Sequence, residues 1–251
     1  LRTETPFEEN FAVILAGIPV ISIDSLTFTK PGLNRRGFIF NPINSEFFIV
    51  NAMPKTVLHV GCGASNPEKL HRCFRNADWR EVRLDIDPAV QPDILASMLD
   101  MPMIANGSFD GLYSSHNIEH LYPHEVLVAL REFTRVLKPD GFAVITCPDL
   151  QAVAAWVTEG KLEDAAYVSP AGPISPLDML YSHRPSLAQG NLFMAHRTGF
   201  TQNTLGQKLI ASGFARVTVQ RDIANFALWA VAYQPQHPEV LKAQAAAGAL
   251  V

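Results

Sequence analysis

The run Val57-Leu58-His59-Val60-Gly61-Cys62-Gly63-Ala64-Ser65 constrains the fold more than any other stretch of this chain. A continuous apolar run is the mark of a strand buried on both faces of a parallel sheet. The two glycines that end it allow a sharp turn and a close approach of the backbone to a ligand. The pattern predicts a buried strand that turns directly into a helix, with the turn at the carboxyl edge of the sheet, where open α/β folds bind their ligands.

From residue 56 onward strand-like and helix-like segments alternate, which predicts βαβ units. Strands are expected at 56–60, 81–85, 94–96, 109–114 and 142–147. Between the last two, Val126, Leu127, Leu130, Phe133, Val136 and Leu137 recur at helical spacing, so 122–137 reads as an amphipathic helix. Lys138-Pro139-Asp140-Gly141 should end it in a tight turn. A helix is expected at 150–158. Residues 159–195 carry Pro170, Pro173, Pro176 and Pro185 with little periodicity and read as an inserted loop region that holds substrate. Thr201 caps a further helix with Leu205, Leu209 and Ile210 on its apolar face, ended by Gly213. Strands at 215–220 and 226–234 are close enough to pair as an antiparallel hairpin at the sheet edge. Residues 1–54 form a β-rich extension, with β-prone pieces at 12–15, 37–40 and 46–50. The main domain spans 55–235, and 236–251 is an Ala-rich tail with a short helix.

Bulk properties narrow the partners. A formal charge of −4 and a pI near 6.1 provide no basic stripe for a nucleic acid. Three cysteines, Cys62, Cys73 and Cys147, are odd in number and lack metal-like spacing, which suits a reducing cytoplasm. The apolar run 11–23 contains Gly17 and Pro19 and is shorter than the roughly 20 residues that span a bilayer. No membrane association is expected.

After the glycine turn come Leu84-Asp85-Ile86-Asp87-Pro88, Leu99-Asp100-Met101-Pro102, Ser108-Phe109-Asp110 and Leu137-Lys138-Pro139-Asp140-Gly141. In this order the motifs resemble those of the class I S-adenosylmethionine-dependent methyltransferases, over residues 56–234. Leu58 to Gly63 and His116 to Leu121 are similar to the L-H-x-G-C-G and E-H-L motifs of small bacterial members. The resemblance implies an α/β, Rossmann-like sheet of seven mostly parallel strands in the order 3-2-1-4-5-7-6, flanked by helices, with the seventh antiparallel. It also implies S-adenosylmethionine as cofactor. Gly61, Cys62 and Gly63 would approach its amino-acid portion and ribose, and Asp85 and Ile86 would lie at the ribose. Asp100 would meet the adenine amine, the Met101 amide the adenine ring, and Ser115 the methionine moiety. Two positions depart from many relatives: His59 stands where an acid is common, and Ser65 where a third glycine is common.

The acceptor's proton needs a base, and imidazole suits that role near neutral pH. His116, His120 and His196 are the candidate catalytic residues, and the last precedes Arg197-Thr198-Gly199-Phe200 at a helix start. His116-Asn117-Ile118-Glu119-His120 also matches an inverted zincin motif. Its place directly after a buried strand, and the lack of a downstream carboxylate ligand, lead to the expectation of no metal. Glu119 and His120 are instead expected to order a helix start, with Glu119 favoured by the dipole. Asp149 falls at the carboxyl edge, and Arg184 and Arg197 are open to pairing with an acidic substrate or to solvent.

The reading that results is a cytoplasmic methyltransferase acting on an oxygen or nitrogen of a small-molecule or glycan-like acceptor, with a homodimer possible through the extension. The alternatives are a non-catalytic cofactor-binding module and a NAD-dependent oxidoreductase. The second expects G-x-G-x-x-G, and Asn66 stands at the third glycine position.

Overall fold

Leu58 and Val60 are fully buried against one layer of side chains and Val57 against another, as a strand covered on both faces requires. In the computed structural model, which describes residues 37–41, 46–50, 53–169 and 171–248, this strand is β1 (Lys55–Val60). It lies in the interior of a seven-stranded sheet with β2 (Trp79–Asp85), β3 (Ile94–Leu95), β4 (Phe109–Ser115), β5 (Leu137–Pro148), β6 (Arg216–Asp222) and β7 (Ala227–Tyr233). The spatial order is β3-β2-β1-β4-β5-β7-β6. Strands β1 to β5 are parallel, β7 runs antiparallel to β5, and β6 pairs antiparallel with β7 at the edge. This is the Rossmann-like arrangement and the order expected.

Side chains alternate across the sheet. Leu58, Leu112 and Ile145 face α1 (Val126–Val136) and α5 (Gln202–Ala211), where Leu130, Phe133, Leu205 and Leu209 meet them. Val57, Tyr113, Val144 and Val231 face the other layer, built from Phe74, Phe142 and Val240 of α6 (Pro238–Gly248). Each fully buried Leu or Phe contributes about 1.5–3 kcal/mol. On α5, Thr201 caps the helix through the Thr204 amide and Gly213 follows at φ +116°. Ile210, expected on the apolar face, is instead exposed, at the wall of an open concavity that it shares with Val217 and Val219 of β6.

Other expectations are corrected. No α-helix follows the glycine turn. Pro67–Lys69 and Arg72–Phe74 form two single 3-10 turns, each started by its own side-chain cap, Asn66 and His71. Lys138 to Gly141 does not close a separate turn. It is absorbed into β5 as an irregularity, with Leu137 opposite Phe109 and Phe142 opposite Gly111. Helix α1 begins at Val126 rather than at 122, after Glu125 accepts from the Tyr122 amide at 2.8 Å. The region 159–195 carries more structure than a loop. It holds a hairpin (Tyr167–Ser169 with Gly172–Ile174), α3 (Pro176–Tyr181), α4 (Arg184–Ala188) and a 3-10 turn (Leu192–Met194). Helix α2 (Leu150–Thr158) precedes it, as expected. Gly37–Asn41 pairs antiparallel with Glu46–Val50, while the piece at 12–15 lies outside the described residues. Among the described residues no helix is long and apolar enough to cross a membrane.

Candidate active site

The parallel register brings the carboxyl ends of three strands together. Val60 pairs with Leu84 on one side and Ser114 on the other, so Gly61, Asp85 and Ser115 leave the sheet side by side. The chain then turns at Gly61 (φ +66°) and Gly63 (φ +60°). The Gly61 and Cys62 amides donate to the Leu84 carbonyl at 2.9 and 3.2 Å, and the Gly63 amide donates to Asp85 Oδ2 at 2.8 Å. Asp85 Oδ1 accepts from the Asp87 amide at 3.0 Å, and Asp87 in turn caps the Pro88–Val90 turn. Asp85 therefore organises both the glycine turn and the loop after β2, with Oδ2 also accepting from the Cys62 thiol at 3.9 Å, and its Oδ1 retains a lone pair for a hydroxyl donor. Ile86 beside it is exposed. Cys62 is buried with its thiol pKa raised, chiefly by burial, and packs rather than reacts.

Three residues that sequence patterns left unmarked shape this turn. Asn117 lies directly over Gly61, where any β-carbon would collide with it, and its Nδ2 is buried without a partner. Arg83 donates to the Gly63 carbonyl at 2.6 Å and to the Gln91 carbonyl at 3.0 Å, tying the two turns together. Lys69 reaches over Gly63, its Nζ 2.8 Å from where a β-carbon would stand. None falls in a periodic pattern; each is placed by a different strand or turn.

Asp100 is exposed beyond β3, while Met101, whose amide was expected to meet the adenine ring, is buried. The Met101 side chain is fully buried and its amide donates to Glu132 Oε2 at 2.9 Å, so that donor is already taken. Arg135 completes the clamp through Glu132 and the carbonyls of Met101 and Ile104. His59 also turns away from ligand duty. It is buried against Tyr113, and its Nδ1 donates to Glu81 at 2.6 Å. Burial lowers its pKa despite the Glu81 carboxylate.

The mouth of β4 gathers the three candidate histidines. His116, half-exposed and with φ +48°, follows Ser115, and its amide continues the ladder to the Thr146 carbonyl at 2.9 Å. Ile118–His120 is a 3-10 turn that ends six residues before α1, so the dipole expected to favour Glu119 is absent. Glu119 is instead 1% exposed, and neither carboxylate oxygen has a hydrogen-bond partner. His116 Nδ1 stands 3.4 Å from Oε1, a long contact. Burial raises the Glu119 pKa, but the imidazoles, His116 foremost, outweigh it and leave a net lowering.

His196 reaches this mouth from far along the chain. The Arg197 and Thr198 amides donate to the Glu119 carbonyl at 2.9 and 3.2 Å, and Arg197 Nη1 donates to the His120 carbonyl at 2.7 Å. This stitching sets the His120 and His196 rings 5.0 Å apart. His196 Nδ1 bonds the Met179 carbonyl at 2.8 Å, and burial lowers its pKa. The neutral ring therefore donates through Nδ1 and keeps a lone pair on Nε2. Arg197 is thus committed within the protein, and Arg184 pairs with Asp178 at 2.8 Å. Asp149 is fully buried, where it caps α2 and binds Arg221 at 2.6 Å, so its role is structural. A concavity of about 520 Å³ lined by Gln202, Gly206, Ile210 and Val219 shares no residue with this site.

Residues 58–145 match a family model described as a methyltransferase domain. A comparison with curated proteins found no match. Among solved structures, a 1,6-didemethyltoxoflavin-N1-methyltransferase from Burkholderia thailandensis is 17% identical, with 72% of this chain and 71% of that one covered and a TM-score of 0.46. A SAM-dependent methyltransferase from Archaeoglobus fulgidus is 13% identical over 72% and 86%, with a TM-score of 0.46. The PH0226 protein from Pyrococcus horikoshii is 14% identical over 72% and 82%, with a TM-score of 0.48. Residues 58–145, the segment that matches the methyltransferase-domain model, carry the glycine turn, Asp85, Asp100 and the mouth of β4.

Proposed function

We propose that the protein transfers a methyl group from S-adenosylmethionine to an oxygen or nitrogen of a small-molecule or glycan-like acceptor, with residues 55–235 as the catalytic domain. The observation that carries this reading is the pairing of the Gly63 amide with Asp85 across the ends of two adjacent parallel strands, inside the segment that matches the methyltransferase family. Leu58 to Gly63 and Glu119-His120-Leu121 support a place among the small bacterial members.

In this reading Asp85 accepts hydrogen bonds from the ribose hydroxyls, and Ile86 offers an exposed apolar surface beside them. Asp100 accepts from the adenine amine. Gly61, Cys62, Gly63 and Ser115 surround the methionine moiety, with the Asn117 carboxamide and Lys69 at its rim. The sulfonium already activates the methyl group, so the protein contributes alignment, exclusion of water and a proton acceptor. His116 fills the last role. It stands at the open mouth, and Glu119 behind Nδ1 stabilises the imidazolium that forms. His120 and His196 are held against backbone carbonyls and position this corner.

Calorimetry with S-adenosylmethionine, S-adenosylhomocysteine and NAD(H), followed by label transfer to hydroxyl, amine and sugar acceptors, tests the reading. Saturable binding of the first two is expected, with His116→Asn lowering turnover about 10²–10⁴-fold at unchanged cofactor affinity. Folded protein that binds neither, or binds NAD(H) instead, would overturn it.

A further inference from the structure

Glu119, His120 and His196 each place one donor atom within 4.8 Å of the other two. Their surroundings are unusual for side chains without a ligand. A carboxylate that is 1% exposed should have its lone pairs satisfied, yet Glu119 Oε2 has no hydrogen-bond partner and Oε1 has only the long 3.4 Å contact with His116 Nδ1. His120 has the opposite difficulty. Its Nδ1 lies 3.3 Å from the Ala195 carbonyl and its Nε2 3.2 Å from the His116 carbonyl, while a neutral ring has one proton to donate. His196 directs Nδ1 to a carbonyl at 2.8 Å, the partner that commonly fixes the tautomer of a metal-ligating histidine, and so leaves Nε2 free.

We propose that Glu119, His120 and His196 bind a divalent first-row transition-metal cation, of the Mn²⁺ to Zn²⁺ series, at the mouth of β4. Two imidazoles and one carboxylate favour such a cation over Mg²⁺ or Ca²⁺, which prefer oxygen donors throughout. Binding draws each donor to about 2.0–2.2 Å from the metal, which needs the donors to close in from their present spread of up to 4.8 Å, and ring rotation of His120 away from one carbonyl supplies the movement. The cation satisfies the Glu119 charge and resolves the proton shortage at His120. Three protein ligands leave coordination positions open toward His116, the exposed side of the cluster. A consequence, which rests on the methyltransferase reading, is that an acceptor hydroxyl can bind the cation there and lose its proton more readily.

The H-x-x-E-H motif directly follows a buried strand and has no downstream carboxylate ligand, the grounds on which no metal is expected from sequence. The fold supplies the third ligand as a histidine, 76 residues beyond His120, through the hydrogen bonds of Arg197 and Thr198 to Glu119.

The test uses protein without a histidine tag, stripped with chelator and titrated separately with Zn²⁺ and Co²⁺ by calorimetry and visible absorption. One saturable equivalent is expected, with Co²⁺ ligand-field bands. His196→Asn keeps a donor for the Met179 carbonyl while deleting Nε2. Together with Glu119→Gln, it should weaken binding at least about 10-fold. His183→Ala, a histidine outside the cluster, should leave it unchanged. Circular dichroism and melting without metal identify any variant that fails to fold. Absence of saturable binding by folded wild-type protein would overturn the site, as would undiminished binding by folded His196→Asn. S-adenosylmethionine binding to the stripped protein is measured in parallel, so that failure of the metal site and failure of the methyltransferase reading are told apart.

Discussion

The Asn117 carboxamide occupies the space into which a β-carbon on Gly61 would project. Gly61 also holds φ +66°, so two independent constraints meet at one residue. Gly61→Ala should destabilise the fold by about 1–3 kcal/mol from backbone strain alone, with a further loss as Asn117 is displaced. Adding Asn117→Gly should recover the steric part and leave the strain. Denaturant unfolding of the two single variants and the double variant measures this coupling. An unchanged midpoint for Gly61→Ala would contradict the arrangement.

Asp85 holds two backbone amides, those of Gly63 and Asp87. Hydrogen bonds to a charged acceptor are worth about 1.5–3 kcal/mol each. Asp85→Ala should therefore loosen the turn and weaken S-adenosylmethionine binding at least about 10-fold. Calorimetric affinity for S-adenosylhomocysteine, beside circular dichroism, checks this. Full affinity in the variant would remove Asp85 from the cofactor site.

Asp178 is buried beneath Arg184 and Ser175. Burial opposes its ionisation, but the Arg184 guanidinium and the Ser175 hydroxyl and amide outweigh burial and hold its carboxyl well below the usual range. Its contribution to stability is present above the ordinary carboxylate pKa and is lost as pH falls below about 4. Asp178→Asn should flatten this acid limb of the stability curve, with little change in its slope near pH 7. Urea midpoints across pH 2–7 provide the comparison.

His71 and His237 each use a neutral ring nitrogen as a cap. His71 Nδ1 accepts from the Cys73 amide at 3.3 Å, and His237 Nδ1 accepts from the Glu239 amide at 3.2 Å. Burial lowers both to about 4, and Arg72 and Arg75 add to the effect at His71. The unfolded chain binds protons at these rings from about pH 6.5 downward, and the folded chain only near 4. Stability should therefore fall between those values and level off below them. Ring-proton NMR titration should show both histidines neutral at pH 5.5, and a normal midpoint for either would refute its neutral capping role.

The α1 and α5 helices and the glycine turn were legible in the chain because each rests on local periodicity or on a turn residue, whereas the strand order came from the family resemblance. Leu58, Val60, Leu130 and Phe133 carry their burial in their spacing. The boundaries that differ, at 122–125 and 138–141, lie where side chains compete with backbone pairing, as Glu125 does at the Tyr122 amide. Ile210 continued an apolar pattern, yet it lines an open concavity over the edge strand and stays exposed.

The chain's local chemistry determined that a buried strand would end in two glycines with an acid near the end of the next, since those choices follow from backbone freedom and burial. Only the tertiary structure decided which polar groups remain free. It committed the Met101 amide to Glu132, placed Asn117 over Gly61, and carried His196 to Glu119 and His120. These pairings join residues 31, 56 and 76 positions apart, as Met101 with Glu132, Gly61 with Asn117 and His120 with His196. Hydrogen-bond partnership at such distances is settled by how the strands and connections pack, and no local pattern records it.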